Sequence, residues 1–115
     1  MKPTWDELEV YARNSAVELL DGDEELFDEV LALFLDMLAP LQEKLHEAVA
    51  NGDSETVAYV AHSIRGSAAT VGAQRVVEIC SRLEASAGDD GAECDPLASA
   101  IDVELDRFRV ATGVE

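Results

Sequence analysis

The sequence is poor in glycine, proline and aromatic residues: of 115 positions 7 are Gly, 3 are Pro and 5% are Phe, Trp or Tyr. That scarcity argues against a turn-rich all-β design, and the abundance of Ala and Leu favours helices. Cations are scarce too. Eight Lys and Arg stand against 25 Asp and Glu, a formal charge of -17, which repels phosphate backbones and anionic lipid at long range. Neither nucleic acid nor a membrane is an expected partner. The longest apolar run, Val30 to Leu35, is six residues against roughly 20 for a bilayer span, and the N-terminus lacks a signal-peptide pattern. A cytoplasmic location is expected. Cys80 and Cys94 form no CxxC pair, so the reading is a core thiol plus a loop thiol rather than a zinc or thioredoxin-like motif. There is no glycine-rich phosphate cradle, and one domain of this length leaves no room for an ATP-binding catalytic domain.

What is present is helical punctuation. Residues 1–115 are read as one domain, with 31 of them Leu, Ile, Val or Phe, enough to build a core despite the charge. Trp5, Leu8 and Tyr11 belong to a first amphipathic stretch, and Ser15 with Glu18 reads as a capping box for a short turn ending near Leu20. From Glu24 to about Ala50, Phe27, Val30, Leu31, Phe34, Leu38, Leu41, Leu45 and Val49 recur at helical spacing. The phase continues across Pro40, which predicts one kinked helix rather than two. Asn51-Gly52 is a stop signal and Asp53 or Ser54 the next cap, giving a helix of about 54–71 that buries Val57, Val60, Ala61, Ile64, Ala68 and Val71. Gly72 ends it. A segment from Gln74 to Ala87 buries Val76, Ile79, Cys80, Leu83 and Ala87, Gly88 to Cys94 form a loop, and Asp95-Pro96 opens a last helix with Leu97, Ala100, Ile101, Leu105 and Phe108 inward. The expected fold is all-α, an antiparallel four-helix bundle with a short N-terminal helix covering one end.

At about 100° per residue, His62 lies near 140° from the centre of the apolar stripe of the 54–71 helix and Gly66 near 180°. His62 therefore points at solvent, with Tyr59, Arg65 and Ala69 around it. A glycine inside a helix costs about 0.5–1 kcal/mol relative to alanine, and steric access to His62 is a reason to keep Gly66. Charge supplies a second clue. Thr56 to Val77 contains no acid and carries Arg65 and Arg75, a positive island that suits a doubly negative group.

The segment AHSIRGSAATVGA, Ala61 to Ala73, followed by CSRLE, Cys80 to Glu84, resembles the signature of histidine-containing phosphotransfer (HPt) domains, four-helix modules of multistep two-component relays. The resemblance extends over nearly the whole chain, including the long proline-bearing helix. It implies that His62 is the phosphorylated histidine, that Arg65 and Gly66 are the basic residue and glycine of the motif, and that Glu84 is the acid that holds the imidazole. It also implies response-regulator receiver domains and a hybrid sensor histidine kinase as partners, with Mg²⁺ and an aspartate supplied by the receiver and no cofactor in this chain. The chemistry is coherent: neutral imidazole offers a lone pair to phosphorus, a carboxylate on the other nitrogen fixes the tautomer, and Arg65 offsets phosphoryl charge. The expected function is a phosphoryl carrier, monomeric and without kinase activity of its own, that accepts on His62 from one receiver aspartate and donates to another receiver.

Blander readings stand beside these. A lone exposed histidine is usually no more than a solvated polar side chain, Arg65 could be a solvated cation, and Glu84 one more acid in an acidic protein. A different class of protein, a non-phosphorylated acidic adaptor that binds a receiver, is the alternative. Glu43 and His46 make a single E-x-x-H, whereas a di-iron bundle needs two such units and two further acids, so His46 is read as a surface residue. The acid clusters at Asp21 to Glu25 and Asp89 to Asp95 lack EF-hand spacing.

Overall fold

The computed structural model describes residues 4–114. They form a 3-10 turn at Trp5–Glu7 and five α-helices: α1 Arg13–Glu18, α2 Glu24–Ala50, α3 Ser54–Val71, α4 Gln74–Ala87 and α5 Cys94–Thr112. None of the described helices is long and apolar enough to cross a membrane. α2 packs on α3 and α5, α3 on α4, and α4 on α5, which closes four helices into a ring. The short connections between them impose antiparallel neighbours. α1 lies against α2 and α3, at the end where α3 stops and α2 begins. The fold is the expected helical bundle with an N-terminal cover.

α2 has 27 residues, about 40 Å at 1.5 Å per residue, and so matches the 41 Å long dimension of the molecule. Pro40 sits inside it without dividing it. The proline is on the exposed side, where water can satisfy a carbonyl deprived of its N–H partner. The stripes expected for α3 and α4 are buried throughout. In α2 the residues Val30, Leu41 and Val49, and in α5 Ala100, are only half-buried. An aromatic knot ties the N-terminal segment to the core: Tyr11 meets Phe108 edge-on at 5.1 Å, and Phe108 meets Phe34 edge-on at 5.6 Å.

The α3–α4 corner depends on Gly72. Its φ of 78° is left-handed, and a Cβ there would come within 2.5 Å of the Ala12 carbonyl oxygen. The close approach serves a bond, since Ala12 N–H donates to Gly72 O at 2.8 Å. Only glycine meets both demands.

Four local expectations need correction. Ser15 and Glu18 form no capping box: α1 starts at Arg13, so Ser15 lies inside it, and its N-cap, Ala12, has no side-chain bond. The bond to Gly72 sets that start. The stretch holding Trp5, Leu8 and Tyr11 is a single 3-10 turn followed by irregular chain. Asp95 is not a cap, because α5 begins at Cys94. Cys94 is consequently a buried thiol at the start of a helix, with Sγ 3.8 Å from Ser86 Oγ, rather than a loop thiol.

Candidate functional site

α3 carries the site on its outer face. Asp53 caps the helix, its carboxylate accepting from Thr56 N–H at 3.2 Å and from Thr56 Oγ1–H at 2.6 Å. Those bonds hold the Asp53 carboxyl below the ordinary carboxylate range. The cap fixes the phase of everything that follows. With Val57, Val60, Ala61 and Ile64 facing inward, His62 is directed out, its side chain 69% exposed. Gly66, one turn later, is open: a Cβ built there would meet no atom within 4 Å. Ala69 is exposed beyond it. Tyr59, one turn before, is 67% exposed, with Lys44 Nζ of α2 lying 5.8 Å from its ring centre.

Three of the four residues singled out from the sequence, His62, Arg65 and Glu84, form one cluster. Glu84 reaches from α4 to place Oε1 3.1 Å from His62 Nδ1. Arg65 places Nη2 2.9 Å from the same Nδ1 and Nε 2.7 Å from Glu84 Oε2. Glu84 is the least exposed of the three side chains and His62 the most. Nδ1 thus faces the protein, and Nε2 has no hydrogen-bond partner among the described residues. Gly66 contributes no atom to the cluster. It contributes space.

Two polar side chains of the neighbouring turns, Ser63 and Thr70, are occupied locally. Ser63 Oγ donates to Tyr59 O at 3.1 Å and Thr70 Oγ1 to Gly66 O at 3.2 Å, an i-to-i−4 pattern that keeps them on their own helix. Cys80, one turn before Glu84 on α4, is sealed in the core. Burial pushes its thiol up to about 12, and the Glu84 carboxylate adds to the effect. It supplies no thiolate to the site.

The positive island expected around His62 does not assemble. Arg65 is there, but its charge is met by Glu84. Arg75 serves a different purpose: Nε donates to Leu8 O at 2.9 Å, Nη2 to Asp6 O at 3.1 Å, and Nη1 lies 3.6 Å from Glu104 Oε1. It rivets the N-terminal segment to α4 and α5. Glu104 is 2% exposed and is the buried acid that the sequence reading missed; its place between Ile101 and Leu105 was the available signal. His46 is also more than a surface residue. Its Nε2 lies 2.6 Å from Asp102 Oδ2, while Gln42 Nε2 donates to Asp102 Oδ1 at 2.8 Å, a polar clasp between α2 and α5. Gln42 and His46 share a helix face at i and i+4, but the sequence offered no sign of their partner 56 residues away.

A family model described as the Hpt domain matches residues 29–111. Among solved structures, the chain is similar to histidine-containing phosphotransfer protein B (HptB) from Pseudomonas aeruginosa PAO1, with a TM-score of 0.81 and 22% sequence identity over 89% of this chain and 90% of that one. At that identity the likeness is one of fold. No curated protein matches the chain in sequence.

Proposed function

Because the chain belongs to the Hpt domain family, whose members carry phosphoryl groups in phosphorelays, we propose that His62 is its phosphoryl-accepting residue and that two receiver domains are its donor and acceptor. The observation that carries the reading is the orientation of one ring. His62 turns Nδ1 toward Glu84 and leaves Nε2 in solvent, beside the gap made by Gly66.

In the acceptor step the Nε2 lone pair attacks phosphorus of a receiver aspartyl phosphate in line. The P–N bond forms as the P–O bond to the aspartate breaks, and the aspartate leaves as a carboxylate. The Nδ1 proton stays on the ring, hydrogen-bonded to Glu84, whose charge offsets the positive charge that the ring acquires. Arg65, three residues along the same helix face, is within reach of phosphoryl oxygens once it leaves Glu84. Donation to the second receiver is the reverse of the same steps. The Mg²⁺ and the aspartate belong to the receiver; this chain needs no cofactor of its own and no ATP site. A receiver would dock over Tyr59 and Ala69, with Leu19, 73% exposed, beside Ala69 on a shallow groove. It would do so in the cytoplasm, with this protein acting as a monomer.

The test is transfer from a phosphorylated receiver. Wild type is expected to acquire an acid-labile, alkali-stable phosphate that His62→Gln lacks. Binding of the receiver with no label on wild type would favour the adaptor reading, and label retained by His62→Gln would overturn the site assignment.

A further inference from the structure

The contacts at His62 Nδ1 are mutually exclusive, and their exclusion has a chemical consequence. A ring nitrogen has a single in-plane position, filled either by a proton or by a lone pair. Glu84 Oε1, at 3.1 Å, is an acceptor and requires Nδ1–H, which puts the lone pair on Nε2. Arg65 Nη2, at 2.9 Å, is a donor and requires the lone pair on Nδ1, which puts the proton on Nε2. The first tautomer is a nucleophile toward solvent. The second is not.

Resting on the carrier reading, we infer that Arg65 is a tautomer latch: in the unloaded protein it donates to Nδ1 and holds the proton on Nε2, and an arriving phosphoryl dianion draws it away, handing Nδ1 to Glu84. The shorter of the competing contacts is the arginine's. Toward Glu84, Arg65 is held by charge rather than by an aligned hydrogen bond: its Nε is shielded from solvent and only 2.7 Å from Glu84 Oε2, yet it makes none. A better-matched dianion would therefore take it at little cost, since charge-assisted bidentate contacts to phosphoryl oxygens suit a guanidinium well. The proton itself moves through water: Nε2 releases its proton and Nδ1 takes one up, with no net change. His62 then becomes reactive when a phosphoryl group is present and stays capped when none is. Arg65 is in this respect a positioning residue that acts through the imidazole.

Two-bond ¹H–¹⁵N spectra of the histidine rings distinguish the tautomers directly, on full-length protein at a pH above the imidazole titration. Wild-type His62 is expected to read predominantly as Nε2–H. Arg65→Met, which keeps the aliphatic bulk and removes every donor, is expected to convert it to Nδ1–H. Glu84→Ala should leave it Nε2–H. His46, held by Asp102, is the internal control and should not move in any variant. A wild-type ring that already reads Nδ1–H, or a ratio unchanged by Arg65→Met, overturns the latch. Labelling from a phosphorylated receiver is run in parallel: phosphate on His62 with an unresponsive tautomer sinks the latch alone, whereas absence of label sinks the carrier reading whatever the ratio.

Discussion

Gly66→Ala should make the protein more stable and a worse carrier, and both signs follow from one piece of geometry. Gly66 is interior to α3, where replacing Gly by Ala gains about 0.5–1 kcal/mol of helix propensity. Nothing opposes the gain, because the added methyl meets no atom within 4 Å. For a domain of this size that is a rise in melting temperature of roughly 2–5 °C. In the proposed mechanism the same methyl stands beside the face through which a receiver aspartyl phosphate reaches Nε2. Misplacing a reacting group by about 1 Å costs on the order of 100-fold, so transfer should slow by about 10-fold with Ala and about 100-fold with Leu. Circular-dichroism melts and rapid-quench transfer from a phosphorylated receiver read the two effects separately. If Gly66→Leu transferred at the wild-type rate, the vacancy beside His62 would have no functional meaning. If Gly66→Ala lowered the melting temperature, the open environment assigned to that position would be wrong.

Arg75→Ala should destabilise by roughly 2–3 kcal/mol in urea unfolding. Breaking a buried pair from one side costs about 3–5 kcal/mol, but Glu104 keeps Arg107 at 2.9 Å, and the double variant Arg75→Ala/Glu104→Met should recover most of the loss. A double-mutant cycle on His46 and Asp102 should give a coupling of about 0.5–1 kcal/mol, small because both side chains are about 40% exposed; no coupling would mean that the clasp contributes nothing to joining α2 and α5. Asp53→Ala should lower the melting temperature at neutral pH with a deficit that vanishes in acid. The Asp53 carboxyl is depressed in the folded state, so its stabilisation is complete above the unfolded carboxylate range and is lost as the pH falls through that range to the folded value. Melts from neutral pH down to strong acid check it, and a deficit that persists in acid would assign the cap to something other than charge.

Where the sequence was legible, a local rule and a global demand coincided. The α3 and α4 stripes could be placed residue by residue because each apolar position at helical spacing also faces the ring's interior, and Asp53 and Gly72 mark the ends of α3 with side-chain and backbone preferences that need no partner. The orientation of His62 followed from the same phase, since a residue about 140° from the stripe has nowhere to go but out. The illegible part was set by contacts between segments distant in the chain. Ser15 looked like a cap because the capping box is a local pattern, yet Ala12, pinned to Gly72 sixty positions on, decided where α1 starts. Arg75 looked like part of a positive field because one-dimensional counting cannot tell which way a long side chain turns. Glu104, Asp6 and two carbonyls claim it instead. The positive island fails for the same reason: residues 56–77 lack acids, but Glu84, the acid that the family resemblance assigned to the imidazole, enters from α4 and makes a nearly balanced cluster there. That balance is itself useful chemistry. An uncompensated arginine would bind any stray anion, whereas one already leaning on a carboxylate yields only to a group of higher charge and better geometry. Selectivity for a phosphoryl group at a solvent-exposed imidazole can thus come from the acid beside it as much as from the base.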